Sequence, residues 1–454
     1  MSGPYEGEDV RREIGTFAAT SIVIANIIGA GIFTTTGIIA GFLPGPGWVL
    51  ACWILGGAIA MAGALCYAEL ATRMPDEGGE YLYLSRLYHP LLGFLTGWTS
   101  FFVGFSAPIA ASAMGFSEYL FPSFGGALAG IDPVLVRKAV SIAVIASFTI
   151  LHWFGLRAGS RVQNVLTAVK ILIVAGIAGA GLAGVGASAG GSASPAAGGS
   201  GGAFAFGTAM MLVMFSYSGW NASAYIAGEL RRPGRTIPVS LVSGTAVVIA
   251  LYLAVNLFVL RALPYGEIGG TIAIVEKAAV AALGPWMGRA LGILVAVALL
   301  SSLSAFIIIG PRVYFAMARD RLFFPFAARV HPRHGVPGRS ILIQGGLAAA
   351  MVIAGSFEQL MVYLGFALGI FPWLAVAGIF IARRRGIGEE TAVRTPLFPA
   401  VPLFFLAVTL VLMIVAFVNR PMESAAAIVT VIAGIPCYFL WKRVVGGRSD
   451  AEKY

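Results

Sequence analysis

Long apolar runs dominate the chain, separated by short polar turns rich in arginine, glycine and proline. Runs long enough to span a bilayer, about 17–25 residues each, fall near 14–43, 46–71, 90–120, 136–155, 161–184, 206–229, 237–260, 287–317, 339–356, 359–382, 398–418 and 423–441. The pattern predicts twelve transmembrane helices. The first run is interrupted where a helix has no evident reason to stop, at Asn26-Ile27-Ile28-Gly29-Ala30-Gly31-Ile32-Phe33. Each glycine there costs about 1 kcal/mol of helix propensity relative to alanine. Within a bilayer, freed backbone groups are tolerated only where they face a cavity or a ligand. The stretch therefore reads either as a helix broken at mid-depth or as a small-residue patch for close helix packing.

The sixth run favours the break. Met214-Phe215-Ser216-Tyr217-Ser218-Gly219-Trp220-Asn221-Ala222 sets two serines, a glycine and an asparagine at mid-span. Broken helices at corresponding places in two halves point to a transport site between inverted repeats. A tract of glycine, alanine and serine divides the halves. The expected organisation is an N-terminal tail (1–13), a first five-helix repeat (14–184), a flexible outer loop (185–205), a second five-helix repeat (206–382), helices 11 and 12 (383–443) and a C-terminal tail (444–454).

Composition agrees with this picture. The 454 residues are 58% hydrophobic and 11% charged, where a soluble domain carries about 25% charged residues. The net charge of +10 does not imply nucleic acid. With the N-terminus inside, most of the 30 lysines and arginines fall in the tails and the even-numbered connections, which is the positive-inside signal. Both termini are thus expected in the cytoplasm. Cys52, Cys66 and Cys437 all lie in apolar runs, so no disulfide is expected. The four histidines have no metal-ligand spacing, and no nucleophile with a matched base appears in the spans. Neither a metal site nor enzyme chemistry is supported, and no cofactor is implied.

Lys170 is the most unusual single residue. It lies nine positions beyond Arg161, about 13 Å deep at 1.5 Å per residue. A lysine there costs about 2.5–3.5 kcal/mol even on the lenient insertion scale, so it should face inward and have partners. It reads as a cation or protonation site among broken-helix carbonyls, or as a packing tether. Ser301, Ser302 and Ser304 in the eighth span are either inward polar partners or hydroxyls bonded to their own helix. Glu69, just inside the second span ahead of Arg73, Pro75 and Gly78-Gly79-Glu80-Tyr81, is either a gating carboxylate or a solvated helix end. Glu229 opens a basic turn at Arg231, Arg232 and Arg235. Ser106, Pro108 and Ser112 predict a kinked third span, and Tyr363, Phe366 and Gly369 are candidate pocket lining in the tenth.

Several short motifs, taken together, resemble the amino acid–polyamine–organocation superfamily of transporters. They are Ile28-Gly29-Ala30-Gly31-Ile32-Phe33, Tyr67-Ala68-Glu69-Leu70 with Gly78-Gly79-Glu80-Tyr81, Tyr217-Ser218-Gly219-Trp220-Asn221, Gly228-Glu229 with Pro233 and Arg235, and Ala316-Met317-Ala318-Arg319-Asp320. The likeness runs from Ile14 to about the tenth span and is greatest to L-amino-acid-transporter-like and small-neutral-amino-acid exchangers. It implies an all-α membrane protein of LeuT type, with a 5+5 inverted repeat, broken helices 1 and 6 and two appended helices; these two lack interior polar residues beyond Asn419 at an edge and so read as scaffold or an oligomer contact, such as that of a homodimer. It also implies a substrate carboxylate on the N–H groups of Gly29, Ala30 and Gly31. The substrate ammonium would meet carbonyls at Ile27, Phe215 and Ser218, with Ser216 beside them and Phe215 as an aromatic gate. Glu69 and Glu229 would serve gating. Lys170 would replace the sodium ion of relatives, between carbonyls near Gly29 and hydroxyls among Ser301, Ser302 and Ser304. A permanently charged Lys170 suits obligatory exchange; one that loses and regains its proton suits symport.

No acidic residue lies in the middle of spans 1, 3, 6, 8 or 10, which favours neutral amino acids over cationic amino acids or polyamines. The outer connection between spans 3 and 4 has no cysteine, so no disulfide-linked heavy chain is expected. A carrier in a plasma membrane, of prokaryotic inner-membrane type, is the expectation. A non-transporting amino acid sensor and a channel are the readings from other classes.

Overall fold

The computed structural model describes residues 12, 14–76, 78–121, 132–154, 156–186, 202–319, 322–324, 327 and 337–451. Among them, ten helical segments are long and apolar enough to cross a bilayer, and Ala205–Tyr217 and Gly338–Ala354 are shorter apolar helices. Together they account for the twelve expected runs, and the protein is an all-α membrane protein. Most of the Gly/Ala/Ser loop and of the N-terminal tail lies outside the described residues, as does Asp320 of the last motif.

The first run is two helices, α1 (Thr16–Ile27) and α2 (Ala30–Ala40). The second, α3 (Pro46–Arg73), is followed by the short helix α4 (Glu80–Leu87). The third span comprises α5 (Pro90–Thr99) and α6 (Ala107–Leu120), joined by a π-helical stretch from Ser100 to Ser106. That stretch is the physical form of the expected kink. Ser106 Oγ donates to the Phe101 carbonyl at 2.7 Å, ahead of Pro108, which has no N–H to give. Then come α7 (Pro133–Trp153) and α8 (Leu156–Leu182). The sixth run breaks into α9 (Ala203–Tyr217) and the single turn α10 (Ala222–Tyr225). The chain continues through α11 (Pro233–Ala262), α12 (Ile274–Leu283), α13 (Pro285–Arg319), α14 (Gly338–Ala354), α15 (Phe357–Arg384), α16 (Ala400–Asn419) and α17 (Pro421–Ala451).

Burial ranks the spans. In its most apolar window the broken first span is 72% buried, whereas α16 and α17 reach only 28% and 22%. Leu403, Val411, Ile414, Val418, Val429 and Ile432 on these two helices are exposed, as a lipid-facing flank requires. The core is therefore the first span, packed chiefly on α11, α9 and α10, and α16 and α17 are peripheral.

Hydrogen bonds bridge the elements at both ends of that core. We call the side bearing Ile14 the near face and the opposite side the far face. At the far face the segment between α11 and α13 lies over α2. Tyr265 Oη donates to the Leu43 carbonyl at 2.8 Å, and Gly270 N–H donates to the Gly37 carbonyl at 2.9 Å. Tyr119 ties three elements together: its hydroxyl donates to the Phe33 carbonyl and accepts the Val275 N–H. At the near face Ile14 pairs with the backbone after the sixth run, its N–H on the Glu229 carbonyl at 3.0 Å and its carbonyl on the Arg231 N–H at 2.9 Å.

One far-face carboxylate makes the packing there pH-sensitive. Glu276 of α12 is only 6% exposed, and its Oε2 has no hydrogen-bond partner. Burial pushes its carboxyl from an ordinary 4.5 up to about 7, against the opposing pull of Arg289. A carboxyl raised in the packed state binds its proton more tightly there than in water. Packing is therefore favoured most below pH 4.5, and that contribution is lost as pH rises through about 7. Thermal unfolding in detergent should show wild type losing stability between about pH 4.5 and 7. Glu276→Gln should flatten that slope; an unchanged slope would assign it to another group.

Candidate functional site

The two breaks face each other. α1 ends at Ile27, α2 begins at Ala30, and Gly29 between them is extended (φ −125°, ψ −158°). The carbonyls ending α1 and the N–H groups opening α2 have no intrahelical partners. They carry opposite partial charges of about half a unit. A Cβ at Gly29 would meet nothing closer than the Ile27 carbonyl at 3.8 Å, so this side of the break is open. Gly31 is the opposite case, because a Cβ there would collide with Cα and Oγ of Ser216. Gly219, at φ +96°, brings the sixth-run backbone onto the Asn26 carbonyl, where a Cβ would sit 2.8 Å from the oxygen. Glycine is required at both places because backbone lies against backbone.

Lys170, 1% exposed, is aimed at the first break. Its Nζ donates to the Ala25 carbonyl at 2.9 Å, the Ile28 carbonyl at 2.8 Å and Ser302 Oγ at 3.3 Å. All three ammonium donors are used, so its charge is spread over the partial negative end of α1. Among the three serines only Ser302 meets the lysine. Ser301 Oγ pairs with Thr167 Oγ1 at 3.2 Å, and Ser304 Oγ with His152 Nε2 at 2.8 Å. Successive helical positions differ by about 100°, so the three hydroxyls face different neighbours.

Tyr252 of α11 is the largest addition to the sequence reading. It is fully buried, and its hydroxyl lies 2.8 Å from the Ile27 carbonyl and 3.1 Å from the Ser216 carbonyl, one from each broken run. Its ring packs on Trp53 and Tyr217 at centroid distances of 5.4 and 5.1 Å. A tyrosine inside an apolar run reads as packing; the available signal was that a buried hydroxyl needs a partner.

The other expected site residues divide. Phe215 is buried beside the break, and its carbonyl accepts the Ser218 N–H at 3.0 Å. Ser216 Oγ is engaged by Thr35 Oγ1 at 2.8 Å and the Leu212 carbonyl at 2.9 Å, so its hydroxyl serves the joint between the two broken runs. Glu69 is fully buried and accepts from Arg73 Nε (2.9 Å), Arg383 Nε (2.8 Å) and Nη2 (2.7 Å) and the Thr395 N–H (2.8 Å). The Arg383 guanidinium stacks 3.6 Å over the Phe398 ring. Glu229 is half-buried and makes no ion pair among the described residues. In the tenth span, Tyr363 Oη bonds Thr430 Oγ1 at 3.0 Å, and Gly369 lies beside Met413. Those two positions face α17 and α16, away from the breaks.

Paired broken helices inside a bundle, with a buried cation at one of them, are the arrangement a membrane transporter site takes. The amino acid permease family model matches residues 14–437, and the chain belongs to that family. Its relatives include the serine/threonine exchanger SteT of Bacillus subtilis (strain 168), 29% identical over 96% of this chain and 98% of that protein. Human Asc-type amino acid transporter 1 is 25% identical over 97% of this chain and 84% of that protein. Mouse b(0,+)-type amino acid transporter 1 is 27% identical over 95% and 88%. The protein is an amino acid transporter of the amino acid–polyamine–organocation superfamily, acting on a small-molecule substrate within a lipid bilayer.

Proposed function

We propose that the protein is a sodium-independent carrier of neutral L-amino acids that works by exchange through alternating access. The observation that carries this reading is the Lys170 ammonium, which fills a position between broken first span and α13 that would otherwise suit a metal cation. The substrate carboxylate binds the N–H groups of Gly29, Ala30 and Gly31. The ammonium binds the carbonyls of Ile27, Phe215 and Ser218. Each carbonyl oxygen has two lone pairs, so Ile27 serves both Tyr252 and a substrate. Hydrogen bonds to charged groups contribute about 1.5–3 kcal/mol each, which offsets much of the cost of desolvating a zwitterion. Phe215 closes over it.

Glu69 is saturated by four protein donors and so offers no free carboxylate to a cationic side chain. The SteT relative is named as an exchanger of serine and threonine, two small neutral amino acids. The arginine-rich near face is cytoplasmic, with both termini on that side, and the chain functions without a disulfide-linked heavy chain in a prokaryotic inner membrane. The exposed flank of α16 and α17 faces lipid or a second copy of the chain.

Proteoliposomes test this reading. Labelled serine, alanine and leucine should enter vesicles loaded with unlabelled amino acid, with or without sodium, and should not enter empty ones. Uptake into empty vesicles with internal acidification would replace exchange by proton symport. Binding with no uptake in either case would make the protein a sensor.

A further inference from the structure

Glu69 and Glu80 are both buried carboxylates at the near face, and they are held in opposite ways. Glu69 is 0% exposed and takes four donors, three of them from guanidinium groups. Glu80, the first residue of α4, is 2% exposed. Its Oε1 accepts from Tyr67 Oη of α3 at 2.7 Å and from Asn221 Nδ2 at the sixth-run break at 2.6 Å. Its Oε2 has no partner, and the Tyr83 hydroxyl of the same helix has none either. Among the described residues no lysine or arginine forms an ion pair with Glu80.

The same contact is completed by backbone. Gly78 N–H donates to the Tyr225 carbonyl at 3.2 Å, and a Cβ on Gly79 would lie 2.6 Å from the Tyr225 ring. Asn221 also donates to Tyr225 Oη at 3.2 Å. On this side the lower half of the sixth run, 219–229, thus meets the turn ahead of α4 and the Glu80 carboxylate.

We propose that Glu80 is the positioning residue of the near-face gate, a latch that holds the lower half of the sixth run closed and lets go when water reaches it. A buried carboxylate with an unfilled oxygen bears a desolvation cost that wetting removes. Opening trades the Asn221 bond for full hydration, so the closed and open arrangements are close in energy. Glu69, with its donors complete and its charge matched, has no comparable gain on wetting and stays shut. It braces α3 to α15 while the sixth run moves past. The place of this latch in a transport cycle rests on the carrier reading above.

Two substitutions should act in opposite senses. Glu80→Gln keeps an oxygen for Tyr67 and Asn221 but removes the charge that water draws out, and so favours closure. Glu80→Ala leaves Tyr67 Oη and Asn221 Nδ2 without an acceptor and favours opening. Exchange of labelled L-serine would be measured from each face separately, with the full chain in proteoliposomes of one determined orientation. Glu80→Gln should raise the near-face KM about three- to tenfold and lower the far-face KM, because apparent affinity scales with the population of the competent state. Glu80→Ala should do the reverse. Equal shifts on both faces, or none, would overturn the latch. Hydrogen–deuterium exchange over 219–229 reads the same equilibrium without needing transport, slower in Glu80→Gln and faster in Glu80→Ala. Unchanged exchange in both would likewise refute it, whereas altered exchange in the two variants, with no transport by the wild-type chain, would spare the latch and sink the carrier. Glu80→Gln, nearly isosteric, keeps both measurements decisive if the alanine variant fails to fold.

Discussion

A Lys170→Ala protein should insert and bind detergent as wild type does, yet exchange amino acid at no more than about a hundredth of the wild-type rate. Three charge-assisted bonds disappear together, to Ala25, Ile28 and Ser302. Each is worth about 1.5–3 kcal/mol, and every ~1.4 kcal/mol lost from a transition or a binding step is tenfold. Loss of even one bond's worth from the conformation that binds substrate reaches a factor of ten, and loss of two exceeds a hundred. The Ala25 carbonyl would lose its cationic donor and the Ile28 carbonyl would keep only the Ser302 hydroxyl, at 3.4 Å. Labelled-serine counterflow in proteoliposomes, normalised to inserted protein, reads the effect. Wild-type exchange by this variant would reduce Lys170 to a packing tether.

The largest expected loss of stability is at Glu69. Glu69→Ala would leave Arg73, whose side chain is 2% exposed, and Arg383, at 23%, without their carboxylate. Removing one member of a buried ion pair costs about 3–5 kcal/mol, because the surviving charge is stranded. The partial exposure of Arg383 places the expectation at the lower end, about 3 kcal/mol. Thr395 would also lose the acceptor that docks its loop. The signature is a fall in thermal unfolding temperature with the substrate affinity of the surviving folded protein retained. A variant as stable as wild type would show that the arginines find other partners, such as the Ile387 carbonyl already bonded to Arg73 Nη1 at 2.7 Å.

Much of this was readable before any coordinates, for physical reasons specific to each residue. The breaks at Gly29–Gly31 and Ser216–Gly219 are visible because glycine, serine and asparagine interrupt runs that a bilayer otherwise keeps uniform. Lys170 is visible because its depth makes it expensive. Which serine it meets is not, since Ser301 and Ser302 differ by a rotation about the helix axis that a run of apolar neighbours does not reveal. Tyr252 and Tyr119 were missed because tyrosine is common in packed apolar helices, and the carbonyls they bond carry no signal in sequence. The far-face cover between α11 and α13 was missed because its parts, from Tyr265 to Leu283, are too short for a hydrophobic period to stand out. Glu80 was visible only as part of a motif. That one of its oxygens goes unfilled is a fact of three-dimensional packing alone.

The backbone pairing of Ile14 with Glu229 and Arg231 has a mechanical consequence. It fastens the start of the first broken run to the end of the second, and Thr16 Oγ1, 3.2 Å from Thr236 Oγ1, adds a second stitch just beyond it. Two levers joined at their tips cannot swing independently. Whatever lifts the lower half of one run must drag the other, so the gate at this face operates as a single shutter with two hinges, one at each break.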